Sequence, residues 1–377
     1  MEFRDLKRQY QVIKGDIDSK IHEVIEQTSF IQGKQVADLE KQLADYVGVK
    51  HCVACANGTD ALQLALMTWG IGKGDAVFVP DFTFFSSGEV VSAVNAVPIF
   101  VDIESDTYNI DCNSLEIMIQ KTIREGRLAP KAVVAVDLFG QPADYGKLRT
   151  IAKRYNMVIL EDAAQGFGGR IGEQKACSFG DISTTSFFPA KPLGCYGDGG
   201  AVFTDNEEWA ELLKSYRVHG KGSSKYDNVR IGMNSRLDTL QAAVLLAKFP
   251  VFLEKELEGM QRIAAEYTNQ LRDIVKTPFI KEGFYSSWAQ YTIQLSDKAA
   301  RDGLQAYLKE QGIPSAIYYQ KPMHRQLAFA GNGYDDQDYP VTNKLSETVL
   351  SLPFHPYMNE DEIKQVLDAI RAYLRRA

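Results

Sequence analysis

Between about residues 45 and 205, short β-rich apolar runs alternate with helical stretches. This alternation is typical of a mostly parallel sheet that is covered by helices on both faces. Apolar residues recur at helical spacing from Val36 to Val47, and a second apolar helix runs from Asp60 to Trp69. The pattern therefore predicts an α/β fold with seven strands in one sheet. The predicted strands are His51–Ala54, Ala76–Val79, Pro98–Val101, Ala132–Val136, Val158–Leu160, Thr184–Phe187 and Ala201–Thr204.

The pattern changes after Asn234, where a long helical stretch begins. Pro250 predicts a break or kink in this stretch, because proline lacks the backbone N–H, and helix then continues to about Leu271. We therefore expect a large domain of residues 1–250, which includes an N-terminal helix, and a smaller α+β domain of residues 251–377. The further elements predicted for the smaller domain are a strand at Gln290–Leu295, a helix from Asp297 to Gly312 and a last helix that begins at a capping box of Asn359 and Glu362.

Charge and composition narrow the class of protein. The 377 residues include 42 Lys and Arg against 49 Asp and Glu, a net charge of −7, so no overall positive field attracts nucleic acid or anionic membranes. No segment approaches the ~20 apolar residues of a membrane span. The N-terminus has no apolar signal region behind its charges. We expect a soluble, cytoplasmic protein with neither nucleic acid nor membrane as a partner.

The five cysteines are odd in number and scattered along the chain, which fits reduced thiols. Cys52 and Cys55 have the spacing of half a zinc site, but the second pair that such a site needs is missing from the sequence. We interpret both as buried strand residues, with metal binding a distant second, and predict no metal.

The first candidate site is the segment Asn57–Leu62, where a strand ends and an apolar helix begins. Free N–H groups at the start of a helix bind phosphate. Gly58 would let phosphate approach the backbone, and the hydroxyl of Thr59 could donate to it. An ordinary helix cap is the simpler interpretation of this segment alone.

The second candidate site is an apolar strand, Met157–Leu160, that runs into Glu161 and Asp162. Ligands in open α/β sheets bind beyond the carboxyl ends of the strands, so Asp162 is placed to face a cofactor. A buried carboxylate needs a partner, and a protonated ring nitrogen would be one. A salt bridge or a helix cap explains this stretch equally well.

The third candidate site is Lys191, which lies in an apolar loop bounded by proline and glycine directly after a strand. This setting is unusual for lysine. Burial and a nearby cation would lower the pKa of the amine and make it a nucleophile toward an aldehyde. Ser186, five residues earlier, can supply another phosphate donor.

Together these parts fit pyridoxal 5'-phosphate (PLP). Lys191 would form the Schiff base, and Asp162 would keep the pyridine nitrogen protonated so that the ring acts as an electron sink. Gly58, Thr59 and Ser186 would hold the phosphate. The combination is far more specific than any one of its members.

Four segments resemble, in order, the motifs of the nucleotide-sugar aminotransferases, often called the DegT family. The resemblance covers essentially the whole chain. It implies the aspartate-aminotransferase-like fold (PLP fold type I), a homodimer with active sites at the subunit interface, and glutamate as the amino donor. The four segments are Asn57–Leu62, Glu161–Gln165, Ser186–Lys191 and Asn234–Asp238.

The resemblance also implies roles for single residues. Lys191 becomes the Schiff-base lysine and Asp162 the partner of the pyridine nitrogen, and these two are the catalytic residues. One aromatic ring of Phe82-Thr83-Phe84 is expected over the cofactor, and we favour Phe84. The other cofactor contacts implied are Gln165 at the ring hydroxyl, Gly58, Thr59 and Ser186 at the phosphate, and Asn234 at the phosphate from the other subunit.

Within the family, the stretch from Ser186 to Gly200 is most similar to enzymes that aminate C3 of UDP-2-acetamido-3-oxo-glucuronic acid. Arg236 matches the arginine that those enzymes direct at the sugar carboxylate, where a bidentate pair is the physical reason for arginine. Tyr318 stands where those enzymes have His, and the resemblance assigns Tyr318 and Tyr319 to the substrate.

Two histidines have no assigned role. His219 and His324 could line the substrate cleft or lie in solvated loops, and the loops are the safer interpretation.

The sequence thus predicts a PLP-dependent sugar aminotransferase that works in two half-reactions, with pyridoxamine 5'-phosphate formed between them. Glutamate would supply the amino group, and a nucleotide-linked keto-sugar, preferably a UDP-2-acetamido-3-oxo-hexuronate, would receive it. The alternatives are an aminotransferase for a 6-deoxy 3- or 4-keto-hexose nucleotide and a non-catalytic PLP-binding regulator.

Two rival enzymes fit the sequence less well. The PLP-dependent sugar dehydratases of the same fold have His at the Schiff-base position, whereas this sequence has Lys191 there. A nicotinamide oxidoreductase would need Gly-x-Gly-x-x-Gly opening a helix after the first strand, and the sequence has none there.

Overall fold

The structure is a computed structural model that describes residues 1–224 and 226–375. Its described strands are β1 (His51–Cys55), β2 (Asp75–Pro80), β3 (Val97–Val101), β4 (Ala129–Val136), β5 (Val158–Asp162), β6 (Arg170–Ile171), β7 (Gln174–Lys175), β8 (Ile182–Ser186), β9 (Gly200–Thr204), β10 (Phe284–Tyr285), β11 (Tyr291–Gln294) and β12 (Val349–Leu352). Its described α-helices are α1 (Leu6–Gln27), α2 (Lys34–Val47), α3 (Gly58–Thr68), α4 (Ser86–Ala93), α5 (Cys112–Glu125), α6 (Tyr145–Tyr155), α7 (Glu207–Tyr216), α8 (Thr239–Val251), α9 (Leu257–Leu271), α10 (Lys298–Glu310), α11 (Pro340–Thr348) and α12 (Glu360–Leu374).

Seven strands form the central sheet, in the order β1-β9-β8-β5-β4-β2-β3. Six of them are parallel to one another, and β9 is antiparallel to both of its neighbours, β1 and β8. The predicted fold, an α/β protein with a mostly parallel seven-stranded sheet, is confirmed. Strand β8 begins at Ile182 and ends at Ser186, whereas the predicted strand ran from Thr184 to Phe187. The apolar pattern included Phe187 in the strand because this residue is fully buried, although it lies just beyond the strand end.

The two faces of the sheet carry two separate apolar cores. Side chains of one strand alternate between them, so that Val133 packs on one side and Val134 on the other. A third core is built from residues between Met260 and Ile370, and β11 pairs with β12 beside it. The division of the chain at residue 250 stays a prediction.

The long helical stretch after Asn234 is interrupted as expected, but by a wide turn. Pro250 lies in the last turn of α8, and a π-helical turn, Phe252–Glu256, joins α8 to α9. Proline provides no N–H, so the regular hydrogen-bond ladder is disturbed where the π turn begins. No helix in the described ranges is both long and apolar enough to cross a membrane.

The predicted capping box opens the last helix. Asn359 Oδ1 accepts from the N–H of Glu362 at 2.9 Å, and Glu362 Oε2 accepts from the N–H of Asn359 at 3.0 Å. Both atoms satisfy groups that a helix start leaves without an intrahelical partner.

The cysteine pair is buried in β1, as interpreted from the sequence. Burial raises the pKa of the Cys55 thiol to about 12, so the thiol stays protonated. Within the residues that the structure describes, no group of three or more His, Cys, Asp or Glu side chains could hold a metal ion.

Strand β1 lies at one edge of the sheet, and side chains cover its outer backbone groups at Ala54. Glu40 Oε1 accepts from the N–H of Ala54 at 2.8 Å, and Arg217 Nη1 donates to the Ala54 carbonyl at 2.5 Å. Glu40 and Arg217 also form an ion pair of 2.5 Å. Covered edges of this kind prevent pairing with another chain.

Candidate active site

A cavity of about 940 Å³ opens at the carboxyl ends of β4, β5 and β8. Its size falls within the range of ~300–1,000 Å³ that is usual for small-molecule sites. This end of an open α/β sheet is where ligands bind. The predicted site residues that line the cavity are Gly58, Thr59, Phe84, Asp162, Gln165, Ser186, Lys191, Tyr318 and Tyr319.

The start of α3 forms one wall of the cavity. Asn57 Oδ1 accepts from the N–H of Asp60 at 2.8 Å. The N–H groups of Gly58 and Thr59, which begin the helix, have no intrahelical partner. A Cβ atom on Gly58 would lie 2.7 Å from Cβ of Ser186, so only glycine fits between the helix start and β8. Thr59 Oγ1 lies 2.8 Å from Oγ of Ser86, a hydroxyl that the sequence analysis missed. This wall therefore offers several donors to an anion.

Asp162 ends β5 and is buried, with 5% of its surface exposed. Its Oδ2 accepts from Oγ of Ser87 at 2.8 Å, and its Oδ1 accepts from the N–H of Ala164 at 3.2 Å. Burial raises the pKa of the Asp162 carboxyl, while the Ser87 hydrogen bond and the charge of Lys191 oppose this rise. A cationic ring atom in the cavity would therefore stabilise the ionised carboxylate.

Glu161, next to Asp162, faces away from the cavity because successive strand residues point to opposite faces. Its carboxylate accepts from the N–H groups of Cys177 at 2.6 Å and Phe179 at 2.7 Å and from Oγ of Ser183 at 2.7 Å. These bonds hold the segment before β8. Glu161 is thus a structural carboxylate, although the sequence places it beside the catalytic candidate.

Lys191 lies in a tight turn, in which its N–H donates to the Phe188 carbonyl at 2.8 Å. Burial lowers the pKa of the Lys191 amine, the charge of Asp162 opposes this, and the charge of Arg4 lowers it further. Arg4 Nη2 also donates to the Lys191 carbonyl at 2.8 Å. Arg4 is the nearby cation that the sequence analysis required for Lys191 but did not identify.

Aromatic residues form the opposite wall. Phe84 is 54% exposed and lines the cavity, whereas Phe82 is 1% exposed and belongs to the core. The ring of Tyr319 lies 6.4 Å from that of Phe84, measured between centroids. Gln165 Nε2 donates to the Tyr319 hydroxyl at 3.0 Å, and Gln165 Oε1 accepts from the N–H of Phe139 at 2.8 Å. Gln165 is therefore held in one orientation. The role of Phe84 over a cofactor ring stays a prediction.

Asn234 and Arg236 are not among the described residues that line this chain's cavity. They lie on the surface, where Arg236 Nη2 donates to Asn234 Oδ1 at 2.5 Å. Ser235, between them, accepts from the N–H of Ala56 at 3.1 Å. The structure thus anchors the pair near the start of α3 but does not bring it together with Lys191 within one chain.

The two histidines lie outside the described lining of the cavity. His219 is exposed. His324 is 8% exposed, so a solvated loop was the wrong expectation for it. Its Nδ1 lies 2.6 Å from Asp81 Oδ2 and its Nε2 lies 2.9 Å from Asp336 Oδ1. Burial lowers the pKa of His324, but the two carboxylates outweigh burial and raise it above the ordinary value.

The cavity suits PLP chemically. Asp162 is a buried carboxylate that gains from a cationic ring nitrogen, and Lys191 is a lysine whose pKa is lowered beside it. The space that a side chain on Gly58 would fill is kept open next to Ser186 and Thr59.

Comparison with known proteins gives the family. The sequence profile of the DegT/DnrJ/EryC1/StrS aminotransferase family matches residues 11–371. The chain belongs to this family. It is a PLP-dependent sugar aminotransferase, as the resemblance implied.

Several relatives of this aminotransferase match along nearly their whole length. A UDP-2-acetamido-2-deoxy-3-oxo-D-glucuronate aminotransferase of Pseudomonas aeruginosa is 42% identical, over 98% of this chain and 99% of that protein. A pleiotropic regulatory protein of Geobacillus stearothermophilus is 40% identical, over 98% of both chains. A UDP-N-acetyl-3-dehydro-alpha-D-glucosamine 3-aminotransferase of Acidithiobacillus ferrooxidans is 38% identical, over 98% of this chain and 97% of that protein.

Solved structures agree with this aminotransferase fold. A DegT DnrJ EryC1 StrS aminotransferase from Brucella abortus superposes with a TM-score of 0.96 at 49% identity and covers 99% of both chains. NtdA from Bacillus subtilis, solved with its bound cofactor PMP, gives a TM-score of 0.88 at 28% identity, over 99% of this chain and 83% of that chain.

Proposed function

We propose that this aminotransferase transfers the amino group of glutamate to a UDP-linked 3-keto sugar, preferably a UDP-2-acetamido-3-oxo-hexuronate. The observation that carries the proposal is the meeting of Lys191, Asp162 and the start of α3 in one cavity. The names of the relatives from Pseudomonas aeruginosa and Acidithiobacillus ferrooxidans support a UDP sugar with a keto group at C3.

In the proposed reaction, bound PLP supplies an electron sink for the negative charge that develops at the donor carbon. Lys191 anchors the cofactor at rest. Its freed amine would accept the proton that leaves the α carbon of glutamate and pass it to the cofactor. Asp162 holds the proton on the ring nitrogen. In the second half-reaction Lys191 would move a proton in the opposite direction, toward the sugar carbon. Because 2-oxoglutarate would leave before the sugar binds, the kinetics should be ping-pong.

The donor and the acceptor can be tested separately. Glutamate added to the PLP-loaded enzyme is expected to bleach the visible absorbance and to release one 2-oxoglutarate per active site. The washed, aminated enzyme is then offered a keto-uronate nucleotide and its 6-deoxy analogue, and recovery of the absorbance is followed. If glutamate did not bleach the absorbance, its assignment as the amino donor would be refuted. Preference for the 6-deoxy sugar would refute the assignment of a uronate as the acceptor but would leave the assignment as an aminotransferase unchanged.

Arg236 is the residue proposed to recognise the sugar carboxylate. We expect Arg236→Lys to cost roughly 1–3 kcal/mol in use of the keto-uronate, because lysine cannot form the bidentate pair. The glutamate half-reaction and the 6-deoxy sugar should change less. The measurement is kcat/KM for each half-reaction in both enzymes. An equal loss with both sugars would assign Arg236 a role other than carboxylate recognition.

The second candidate acceptor is a 6-deoxy 3- or 4-keto-hexose nucleotide. Tyr318 favours it, because a half-buried phenol lines the cavity where the uronate enzymes that the sequence resembles have His. Burial raises the pKa of the Tyr318 hydroxyl, which keeps it a neutral hydrogen-bonding group. A neutral sugar would be recognised by such a group without a charge partner.

We also propose that two subunits share each active site. Asn234 and Arg236 lie on the surface of their own chain, and exposed apolar side chains occur on the same segment, with Val229 56% and Ile231 90% exposed. Phe188, which lines the cavity, is 51% exposed. A second copy of the chain would cover these apolar groups and bring Asn234 to the partner's phosphate site.

Mixed dimers test this sharing. Lys191→Ala and Asn234→Asp subunits are each expected to be inactive alone. In a mixed dimer one site inherits both intact residues, so random mixing should restore activity to about a quarter of all sites. Activity is measured after heterodimers have been verified by differently sized tags. Verified heterodimers without activity would place both residues in the same chain's site.

A further inference from the structure

Two cationic side chains, Arg4 and Lys248, donate hydrogen bonds to the backbone of the turn that carries Lys191. Arg4 Nη2 donates to the carbonyl of Lys191 at 2.8 Å and to that of Pro192 at 3.4 Å. Lys248, which is 2% exposed, donates from Nζ to the carbonyl of Gly194. Positively charged groups thus hold three of the four carbonyls from residue 191 to residue 194. Arg4 comes from the segment before α1 and Lys248 from α8, so residues distant in the sequence fix this turn.

The positive charge of these two residues is only partly balanced. Glu256 is 5% exposed, and its Oε1 accepts from Gln9 Nε2 at 2.7 Å and from the Tyr357 hydroxyl at 2.5 Å. Its charge raises the pKa of both Arg4 and Lys248, against a larger lowering by burial. Among the described residues, no ion pair within 4.0 Å joins either cation to a carboxylate. Their field therefore reaches the Lys191 turn without a direct counter-charge.

We propose that Arg4 is a positioning residue for Lys191. Arg4 fixes the turn through the Lys191 and Pro192 carbonyls, and its positive charge disfavours protonation of the Lys191 nitrogen. This inference rests on the proposed function, in which Lys191 binds the cofactor. The geometry separates Arg4 from the catalytic residues, because Arg4 is not among the described residues that line the cavity.

The charges around Lys191 support this role. Burial is the largest cause of the lowered pKa of Lys191; the charge of Asp162 opposes this lowering, and the charge of Arg4 reinforces it. Asp60, Asp198 and Lys321 are the other charged side chains among the described residues that line the cavity. Arg4 is thus the positive charge that acts together with burial on the Lys191 nitrogen.

A pH titration of the holoenzyme tests the proposal. The visible absorbance of the bound cofactor reports when the nitrogen that links it to lysine gains a proton. In Arg4→Gln we expect the midpoint to rise by about one pH unit, the lower end of the effect of one nearby charge. Arg4→Lys, which keeps the charge, should titrate close to the wild type.

Arg8→Gln is the matched control. Arg8 lies in the first turn of α1, four residues after Arg4, and donates to Glu362 Oε2 at 2.9 Å and to the Tyr357 carbonyl at 2.6 Å. The Arg8→Gln substitution should weaken the attachment of the N-terminal residues without changing the midpoint of the pH titration. If Arg4→Gln does not yield folded protein, Arg4→Met, which also removes the charge, is titrated in its place and is expected to raise the midpoint by the same amount.

An unchanged midpoint in Arg4→Gln, or an equal shift in Arg8→Gln, would overturn the proposal. The underlying assignment is checked independently. Borohydride reduction fixes the cofactor on its lysine, and peptide mapping of the wild type should find the label on Lys191. A label on another lysine would refute the proposed role of Lys191, whatever the titration shows.

Discussion

Lys191→Ala is expected to reduce transamination by at least about 10⁴-fold, the upper end of what a positioned acid–base group contributes. The variant lacks the side chain that we propose both anchors the cofactor and moves the proton. In the proposed site the phosphate and ring contacts come from other residues, so the fold and cofactor binding should persist. The measurements are turnover with glutamate, circular dichroism and the cofactor content after dialysis.

Lys153→Ala provides the control for Lys191→Ala. Lys153 is an exposed lysine of α6, outside the described lining of the cavity, so its loss should leave turnover unchanged. Turnover of Lys191→Ala close to that of the wild type would exclude the proposed mechanism.

Asp162→Asn should be nearly as damaging. A neutral amide cannot hold a proton on the ring nitrogen, and loss of one buried charge partner shifts such a pKa by ~1–3 units, which corresponds to about 1.4–4 kcal/mol. Both half-reactions should slow, because both need the same electron sink. Single-turnover measurements with glutamate, and then with the keto-sugar, check this separately for each half-reaction.

Glu161→Gln distinguishes chemistry from stability. This neighbouring carboxylate accepts from Cys177, Phe179 and Ser183 on the other side of the strand. Its replacement should lower the free energy of unfolding by about 1–3 kcal/mol and leave the half-reactions of the folded enzyme intact. If Asp162→Asn kept wild-type rates in both half-reactions, Asp162 would be only a structural carboxylate like Glu161.

Local patterns predicted the sheet because most of its strands are buried apolar runs; β8 is instead mostly Ser and Thr, and the β-branched Thr184 and Thr185 indicated it. The two-residue strands β6, β7 and β10 were not predicted, because pairs such as Arg170–Ile171 carry no alternation to detect. The irregularity near Pro250 was predicted from proline alone. Its form, a π turn at Phe252–Glu256, depends on how α8 and α9 pack, which no local pattern contains.

The candidate site was predictable where its residues sit in contiguous motifs. Asp162 ends β5, Gly58 begins α3, and Lys191 lies in the turn that follows β8, so short segments identify them. Ser87 and Arg4 were missed because their importance lies in long-range contacts. Arg4 reaches Lys191 over a separation of 187 residues, and nothing in the sequence around Arg4 indicates that contact.

The covered edge of β1 has a consequence for synthesis of the chain. Cys55 pairs with Gly200, so β1 leaves the ribosome long before its only partner in the sheet. At translation rates of about 5–20 residues per second, that interval is roughly 7–30 s. Arg217, which covers the outer edge, emerges later still. A nascent chain therefore carries β1 without its partner for seconds, and during this interval the strand edge that the folded protein covers is open to pairing with another chain.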